Sequence, residues 1–188
     1  MKATSARRPV RIQAGKWKGR KLEVPPGARP TSGRARAAFF DVVGPERLAG
    51  ARVLDLFAGS GAVGFEAVSR GAAAAVLVES DVSAIARTCT RLAAAPEEIR
   101  VMPGHAGTAL AGLSGRGEKF EIVFADPPYA GGVARVRQAL DRAARLLTAG
   151  GILVVQADAG EEVPPPDGLR NLRRREYGRN VFHFFGIL

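Results

Sequence analysis

The order of apolar runs and helix-like segments after residue 51 constrains the fold of this chain more than any other feature. Five apolar runs alternate there with segments of helical pattern. Such alternation predicts an α/β fold, a parallel sheet with helices on both faces. Two more strands, at 169–177 and 180–187, are predicted to add an antiparallel hairpin at the sheet edge. The five predicted strands are 52–57, 74–80, 99–104, 120–128 and 152–157, and the helices between them are 62–71, 82–95, 106–113 and 133–149, the last closing at Gly150 and Gly151.

The first 30 residues differ from the rest in pattern. Residues 10–24 form two short strand-like runs with basic side chains interleaved, which predicts a β-hairpin or extended arm. Residues 25–33 are a connector rich in Pro, Gly and Ser, and Thr31 or Ser32 is predicted to cap a helix at about 34–43. We therefore expect a basic N-terminal arm at 1–30 and a main domain at 31–188.

Charge is concentrated at the two ends of the chain. The 188 residues carry a net charge of +10, and residues 1–50 hold 12 Lys or Arg against 3 Asp or Glu. Residues 167–188 hold 5 basic and 2 acidic side chains, around a mildly acidic middle. Basic patches favour a polyanionic partner such as nucleic acid, because they release counterions from phosphates. A solvated surface that promotes solubility is the alternative.

Composition excludes several classes of protein. The single cysteine, Cys89, rules out a disulfide framework, and no metal-ligand cluster is visible, so no metal is expected. The sequence has no apolar run near 18 residues and no signal-peptide pattern. These features favour a soluble cytoplasmic protein.

A glycine-rich turn directly follows the first predicted strand. The sequence from Asp55 to Gly64 contains GxGxxG at 59–64, at the point where a strand gives way to a helix. This context is typical of nucleotide-binding turns, and Glu79 ends the next strand, where an acid can bind ribose hydroxyls. Asp55 would repel a pyrophosphate, which favours cationic S-adenosylmethionine over NAD. An NAD-dependent oxidoreductase remains an alternative on the turn alone.

The fourth predicted strand ends in Asp126-Pro127-Pro128-Tyr129. Two prolines fix a stiff turn and remove two N–H donors, leaving acceptors. The Asp126 carboxylate and the Pro127 carbonyl can accept the two N–H groups of an exocyclic amine, and Tyr129 can stack on the base. Catalysis by such a loop would be positioning and electrostatics. A tight, strand-terminating turn with a packed Tyr is the alternative.

Taken together, these motifs resemble the RsmD family, bacterial methyltransferases that act on a guanine N2 in 16S ribosomal RNA. The resemblance covers nearly the whole chain, and three positions depart from the family pattern: Gly33 and Ala37 replace acidic residues, and His105 stands where Asp or Asn is common. The segments that carry it are 11–25, 28–43, 53–72, 76–81 and 122–129.

The resemblance implies a Rossmann-like class I methyltransferase with a mostly parallel seven-stranded sheet and S-adenosylmethionine as the donor. Its partners would be 16S rRNA, within an assembling 30S subunit, and its ribosomal proteins, with the enzyme a monomer. The expected catalytic residues are Asp126, Pro127, Pro128 and Tyr129. The expected cofactor residues are Asp55, Phe57, Ala58, Gly59, Ser60, Gly61, Glu79, Ser80, Asp81, His105 and Ala106. The expected RNA contacts are Arg11, Lys16, Trp17, Lys18, Arg20, Lys21, Arg29, Thr31, Arg34 and Arg36.

Some alternatives stay open on the sequence alone. An adenine-N6 methyltransferase of RNA or DNA would share the same site chemistry, and a non-catalytic RNA-binding module would explain the charge. Trp17 could stack on RNA or pack the arm onto the body. His183, in an alternating apolar strand, and Cys89, without a partner motif, are expected to be structural.

Overall fold

The computed structural model describes residues 9–26, 32–127 and 132–187, leaving aside the side chains of 132–135. Six helices and seven strands lie along these residues. The helices are α1 (Gly33–Val43), α2 (Pro45–Leu48), α3 (Ala62–Ser69), α4 (Ser83–Leu92), α5 (Ala106–Gly115) and α6 (Gly132–Ala144). The strands are β1 (Arg52–Asp55), β2 (Ala74–Glu79), β3 (Ile99–Pro103), β4 (Phe120–Ala125), β5 (Leu147–Asp158), β6 (Leu169–Tyr177) and β7 (Asn180–Ile187).

All seven strands form one sheet in the order β3-β2-β1-β4-β5-β7-β6. The first five strands are parallel, and β7 is inserted antiparallel between β5 and β6. Because β7 runs against both neighbours, β6 points in the same direction as β1 to β5. The predicted parallel sheet with a C-terminal antiparallel hairpin is confirmed, and both hairpin strands begin and end where the sequence predicts.

Two hydrophobic layers cover the sheet. One layer packs α1, α3 and α4 against one face, and the other packs α5 and α6 against the opposite face. Alternate residues of a strand serve opposite layers, so that Val53 contributes to the first and Leu54 to the second. The order along the sheet brings the carboxyl ends of β1, β2 and β4 to one edge, which is where ligands bind in open α/β sheets.

The N-terminal segment packs onto the first layer. Ile12, Trp17 and Leu22 are buried in the same cluster as α1 and α3. The predicted hairpin is reduced to a single antiparallel bridge between Arg11 and Lys21. The structure therefore holds residues 10–23 by side-chain burial and by hydrogen bonds to Glu66, Ser69 and Thr88 of the main domain, and they do not project from it.

The prediction of α6 is wrong at its C-terminal end. The sequence pattern extended this helix to about residue 149, whereas it ends at Ala144 and β5 begins at Leu147. Leu147 pairs with Phe120 of β4, and the register then shifts before Ile122 meets Ile152. Pairing with β4 and burial of Leu147 outweigh the helical propensity of this stretch. No helix in the described part of the chain is long and apolar enough to span a membrane.

Candidate active site

A cavity of about 420 Å³ opens at the carboxyl edge of the sheet. It brings together residues that follow β1, β2, β3 and β4, so four separate loops of the sequence meet there. Glu79 and Asp126 give its wall negative charge, which favours a cationic ligand over a phosphate. The lining residues are Leu56, Phe57, Val78, Glu79, Ser80, Gly104, His105, Ala106 and Asp126.

The glycine turn is shaped by close packing as well as by backbone angles. Gly61 has a φ of +72°, and a Cβ there would lie 2.7 Å from the Phe65 ring. A Cβ on Gly64 would lie 2.1 Å from Cδ2 of Leu77, so this glycine lets α3 approach β2. The turn therefore needs Gly61 for its conformation and Gly64 for the contact between helix and sheet.

Asp55 lies beneath this turn and does not line the cavity. Its side chain is 2% exposed and accepts a hydrogen bond from the backbone N–H of Gly64, one of the N–H groups in the first turn of α3. Burial raises the pKa of Asp55 to about 7, and the negative charges of Asp126 and Glu79 add to the rise although the Gly64 bond opposes it. The predicted cofactor contact at Asp55 is thus replaced by a bond that holds α3 against the end of β1.

Glu79 joins the glycine turn to the end of β2. Its Oε2 accepts a hydrogen bond of 2.8 Å from the N–H of Gly59. Its Oε1 accepts from the N–H and hydroxyl of Ser80 at 2.7 and 2.8 Å and from the N–H of Asp81 at 3.2 Å. A carboxylate offers about four acceptor positions, so Oε2 keeps room for one more donor facing the cavity. This geometry fits a ribose hydroxyl.

The other predicted cofactor residues divide between the cavity wall and its support. Phe57, Ser80, His105 and Ala106 line the cavity with Glu79. Ala58 and Ser60 are buried within the glycine turn, where Ala58 donates its N–H to Val78. The Asp81 carboxylate accepts from the hydroxyl of Ser83 and from its N–H, the latter at 3.0 Å, and these two bonds lower the pKa of Asp81. Asp81 therefore fixes the start of α4.

Three lining residues were missed by the sequence analysis: Leu56, Val78 and Gly104. Leu56 and Val78 are apolar residues at strand ends, which the sequence could not distinguish from core. Gly104 has a φ of +126° and donates its N–H to the carbonyl of Glu79 at 2.9 Å. The Pro103-Gly104 pair was the available signal, since it ends β3 at this edge.

Asp126 and Pro127, the described part of the Asp-Pro-Pro-Tyr motif, directly follow β4 as predicted. Asp126 lines the cavity, and Pro127 is buried immediately after it. Pro128 and Tyr129 lie outside the described residues, so stacking by Tyr129 stays a prediction. Asp126 and Glu79 border one cavity, so the two predicted acceptor groups share the same space.

The predicted RNA contacts divide by exposure. Five described residues, Arg11, Lys18, Arg20, Lys21 and Arg34, are exposed, as is Lys16, which pairs with Glu98. Arg20 donates to the carbonyl of Arg91, and Arg11 donates to the carbonyl of Gly19. Their contact with RNA stays a prediction. Arg29 and Thr31 lie outside the described residues.

Trp17 and Arg36 require correction, because both are buried. Trp17 is 8% exposed and packs edge-on against the Phe65 ring, with centroids 6.3 Å apart. Arg36 is 2% exposed and donates to Glu66 and to the carbonyl of Arg11. Their side chains are already committed within the protein, so neither is presented to a nucleic acid.

Cys89 and His183 have structural surroundings. Burial raises the pKa of the half-buried Cys89 thiol, which lowers its nucleophilic fraction. His183 stacks on Phe185 with ring centroids 6.2 Å apart, and burial lowers its pKa.

The strand order with an antiparallel β7, the glycine turn after β1 and the acid ending β2 define the fold of a class I methyltransferase. The chain belongs to the family described as Conserved hypothetical protein 95, whose pattern matches residues 10–186. This is the RsmD family predicted from the sequence.

Comparison with individual proteins agrees with this assignment. The chain is 42% identical over 127 residues to Ribosomal RNA small subunit methyltransferase D of Escherichia coli, a match covering 66% of this chain and 62% of the relative's length. It is 33% identical over 174 residues to YlbH of Bacillus subtilis, covering 90% and 94% of the two chains. A solved structure of a hypothetical protein from Thermus thermophilus superposes with a TM-score of 0.81 at 36% identity, covering 95% and 99%.

Proposed function

We propose that this protein transfers a methyl group from S-adenosylmethionine to the exocyclic N2 amine of a guanine in 16S rRNA. One observation carries the proposal: Glu79 and Asp126 line the same cavity at the carboxyl edge of the sheet. A single space therefore has one carboxylate suited to a donor's ribose and another suited to an acceptor amine. The E. coli relative's name, a small-subunit rRNA methyltransferase, supports the same reaction.

The residues present fit the donor. Its sulfonium and amino groups are cationic, and the cavity wall carries the acids Glu79 and Asp126. Oε2 of Glu79 can accept a ribose hydroxyl beside its bond to Gly59. The turn at 57–61 would hold the methionine portion, and Ser80, His105 and Ala106 would border the adenosine portion. S-adenosylmethionine supplies an electrophilic methyl group when bound.

The loop after β4 would position the acceptor. The carboxylate of Asp126 and the carbonyl of Pro127 would accept the two N–H groups of the guanine amine. These bonds favour a pyramidal nitrogen, so its lone pair points toward the methyl group instead of into the ring. Pro127 has no N–H to compete for these acceptors, and burial restricts its movement.

The form of the substrate, the oligomeric state and the location of the protein belong to the same proposal. We propose that the protein acts as a monomer on the assembling 30S subunit, where ribosomal proteins present the target guanine. A ribosomal substrate would place the protein in the cytoplasm. The exposed basic residues of the N-terminal segment, such as Lys18 and Lys21, would contact rRNA phosphates.

Transfer from labelled S-adenosylmethionine to undermethylated 30S subunits tests the proposal, with naked 16S rRNA and DNA in parallel. We expect the label in N2-methylguanosine, and its distribution between subunits and naked RNA shows whether assembly is required. Label in N6-methyladenine would show that the acceptor is the adenine N6 amine and not the guanine N2 amine. Tight donor binding with no label in any nucleic acid would overturn the proposed activity.

Asp126→Asn tests the role of the loop, because it removes the charge with little change in size. We expect transfer to fall by about 10²-fold or more while donor affinity stays within a few-fold. Asp158→Asn is the matched control, since Asp158 ends β5 at the same edge of the sheet and is exposed. Lost donor affinity with normal turnover in Asp126→Asn would contradict the assigned role.

A further inference from the structure

The edge strand β6 carries a dense group of arginines that the proposed chemistry does not use. Residues 170–176 are all exposed, and four of the seven are arginine: Arg170, Arg173, Arg174 and Arg175. Among the strands of the described residues, β6 pairs with β7 alone, which leaves its outer side as an edge of the sheet. The most basic part of the C-terminal region therefore lies along one side of the molecule.

Pairing with β7 divides these arginines between the two faces of the sheet. Arg173 and Arg175 are opposite Phe184 and Phe182, which pack in the layer of α1 and α3. Directly opposed residues of an antiparallel pair lie on the same face. Arg173 and Arg175 thus share the face covered by α1, about 7 Å apart along the strand. We call these two residues the β6 arginine pair.

The two faces differ in how far their charge is compensated. Arg174, on the opposite face beside His183, forms an ion pair with Glu176. A groove at this end of β6 is lined by Glu161 and Glu162 and is bordered by both Arg174 and Arg173, whereas Arg175 lies outside it. Among the described residues, neither member of the β6 arginine pair forms an ion pair. Neither guanidinium is held directly by a described carboxylate, so each can bind an external anion, with Arg175 the further of the two from the acidic groove.

The β6 arginine pair is close to the candidate active site. Because β6 runs parallel to β4, its carboxyl end at Tyr177 lies at the same edge as Asp126. Arg175 precedes Tyr177 by two residues, or about 7 Å. β6 is three strands away from β4, or about 15 Å at the usual strand spacing. A nucleic acid strand that enters the cavity can span this distance within a few nucleotides.

We propose that the β6 arginine pair binds the phosphate backbone of the rRNA substrate, forming a second contact surface apart from the N-terminal segment. This inference rests on the proposed function, because it assumes that RNA enters the cavity. Guanidinium groups suit phosphate, since their planar donors form bidentate bonds to it. Charged side chains also protect edge strands from pairing with other chains, so the test separates the two roles.

Binding of in vitro transcribed 16S rRNA, measured without the donor over a range of salt concentrations, is the experiment. For the double variant Arg173→Gln/Arg175→Gln we expect weaker binding and a salt slope smaller by about 1.5, from two lost phosphate contacts. The variant Arg173→Lys/Arg175→Lys keeps the charge and should retain most of the slope. The control Arg142→Gln/Arg145→Gln removes equal exposed charge beside α6, on the other face, and should change the slope less.

Equal effects in the double variant and its control would overturn the proposal. An unchanged slope with increased self-association would also overturn it, and would assign the arginines to edge protection. Wild-type protein that binds 16S rRNA but methylates neither it nor undermethylated 30S subunits would instead contradict the proposed function. Normal wild-type transfer with an unchanged slope in the double variant would contradict only the second contact surface.

Discussion

Arg36 of α1 and Glu66 of α3 form a buried ion pair, with Nε of Arg36 3.3 Å from Oε2 of Glu66. The same carboxylate accepts hydrogen bonds from the backbone N–H groups of Gln13 and Ala14 and from Arg70. Burial lowers the pKa of Arg36, and the charge of Glu66 counteracts that shift. Glu66 therefore joins the N-terminal segment, α1 and α3 through one fully buried group.

Replacing Glu66 with Gln should destabilise the protein strongly. The change leaves the Arg36 guanidinium buried without its counter-charge, a loss of about 3–5 kcal/mol in the free energy of unfolding. Urea denaturation measures it. Glu98→Gln is the control, because it removes an exposed ion pair with Lys16 in the same region and should cost less than about 1 kcal/mol. Similar losses in both variants would show that burial of the pair is unimportant.

Gly64→Ala should separate α3 from β2. The new Cβ would overlap Cδ2 of Leu77, so we expect a loss of about 1–3 kcal/mol in the free energy of unfolding. Gly112→Ala in α5 meets only the Arg116 side chain, at 3.5 Å, and should be neutral or stabilising by up to about 1 kcal/mol. Adding Leu77→Ala should cost less in the Gly64→Ala background than alone. Strict additivity would argue against the overlap.

Asp55 should make stability depend on pH. Its folded pKa of about 7 lies above the ordinary value of 3.8, so the native state retains a proton that the unfolded chain loses. The contribution of this group is present below about pH 4 and is lost as pH rises toward 7, by up to about 4 kcal/mol. Urea denaturation across this range should show that decline in the wild type and a smaller one in Asp55→Asn. Parallel profiles for the two proteins would contradict a raised pKa.

Trp17→Ala should lower the free energy of unfolding, and any loss of RNA binding should follow from that destabilisation. Loss of a buried indole against Phe65 should cost about 3–5 kcal/mol in the free energy of unfolding. Lys18→Ala, at the exposed neighbouring position, should stay within about 0.5 kcal/mol. Circular dichroism during urea denaturation measures both. Unchanged stability with lost RNA binding in Trp17→Ala would restore the stacking role.

Because residues 10–23 pack against the main domain, a truncation of the N-terminal segment would change stability as well as RNA binding. Removal of residues 1–24 would take Ile12, Trp17 and Leu22 out of the first hydrophobic layer. It would also leave Glu66 without two of its backbone donors. Loss of RNA binding after such a truncation would therefore reflect destabilisation together with lost charge, and point substitutions at Lys18 or Lys21 separate the two.

Local patterns determined most of the architecture. Period and turn residues located every strand of the sheet, and Ser32 caps α1 through a bond to the N–H of Ala35, as its position suggested. The C-terminal limit of α6 could not be read in this way. It depends on Leu147 pairing with Phe120, 27 positions earlier, and no local propensity contains that contact.

The residues of the candidate site also fall into two groups, those that local sequence predicts and those whose surroundings only the fold decides. The sequence by itself determined the glycine turn, Glu79 and Asp126, because each sits at the end of a recognisable strand, and parallel strands end at one edge. Only the tertiary structure decided that Asp55, Trp17 and Arg36 are interior groups, and that Arg173 and Arg175 lie on the face covered by α1. A residue's type sets which interactions it can make, but burial and partners come from distant segments that the fold brings together.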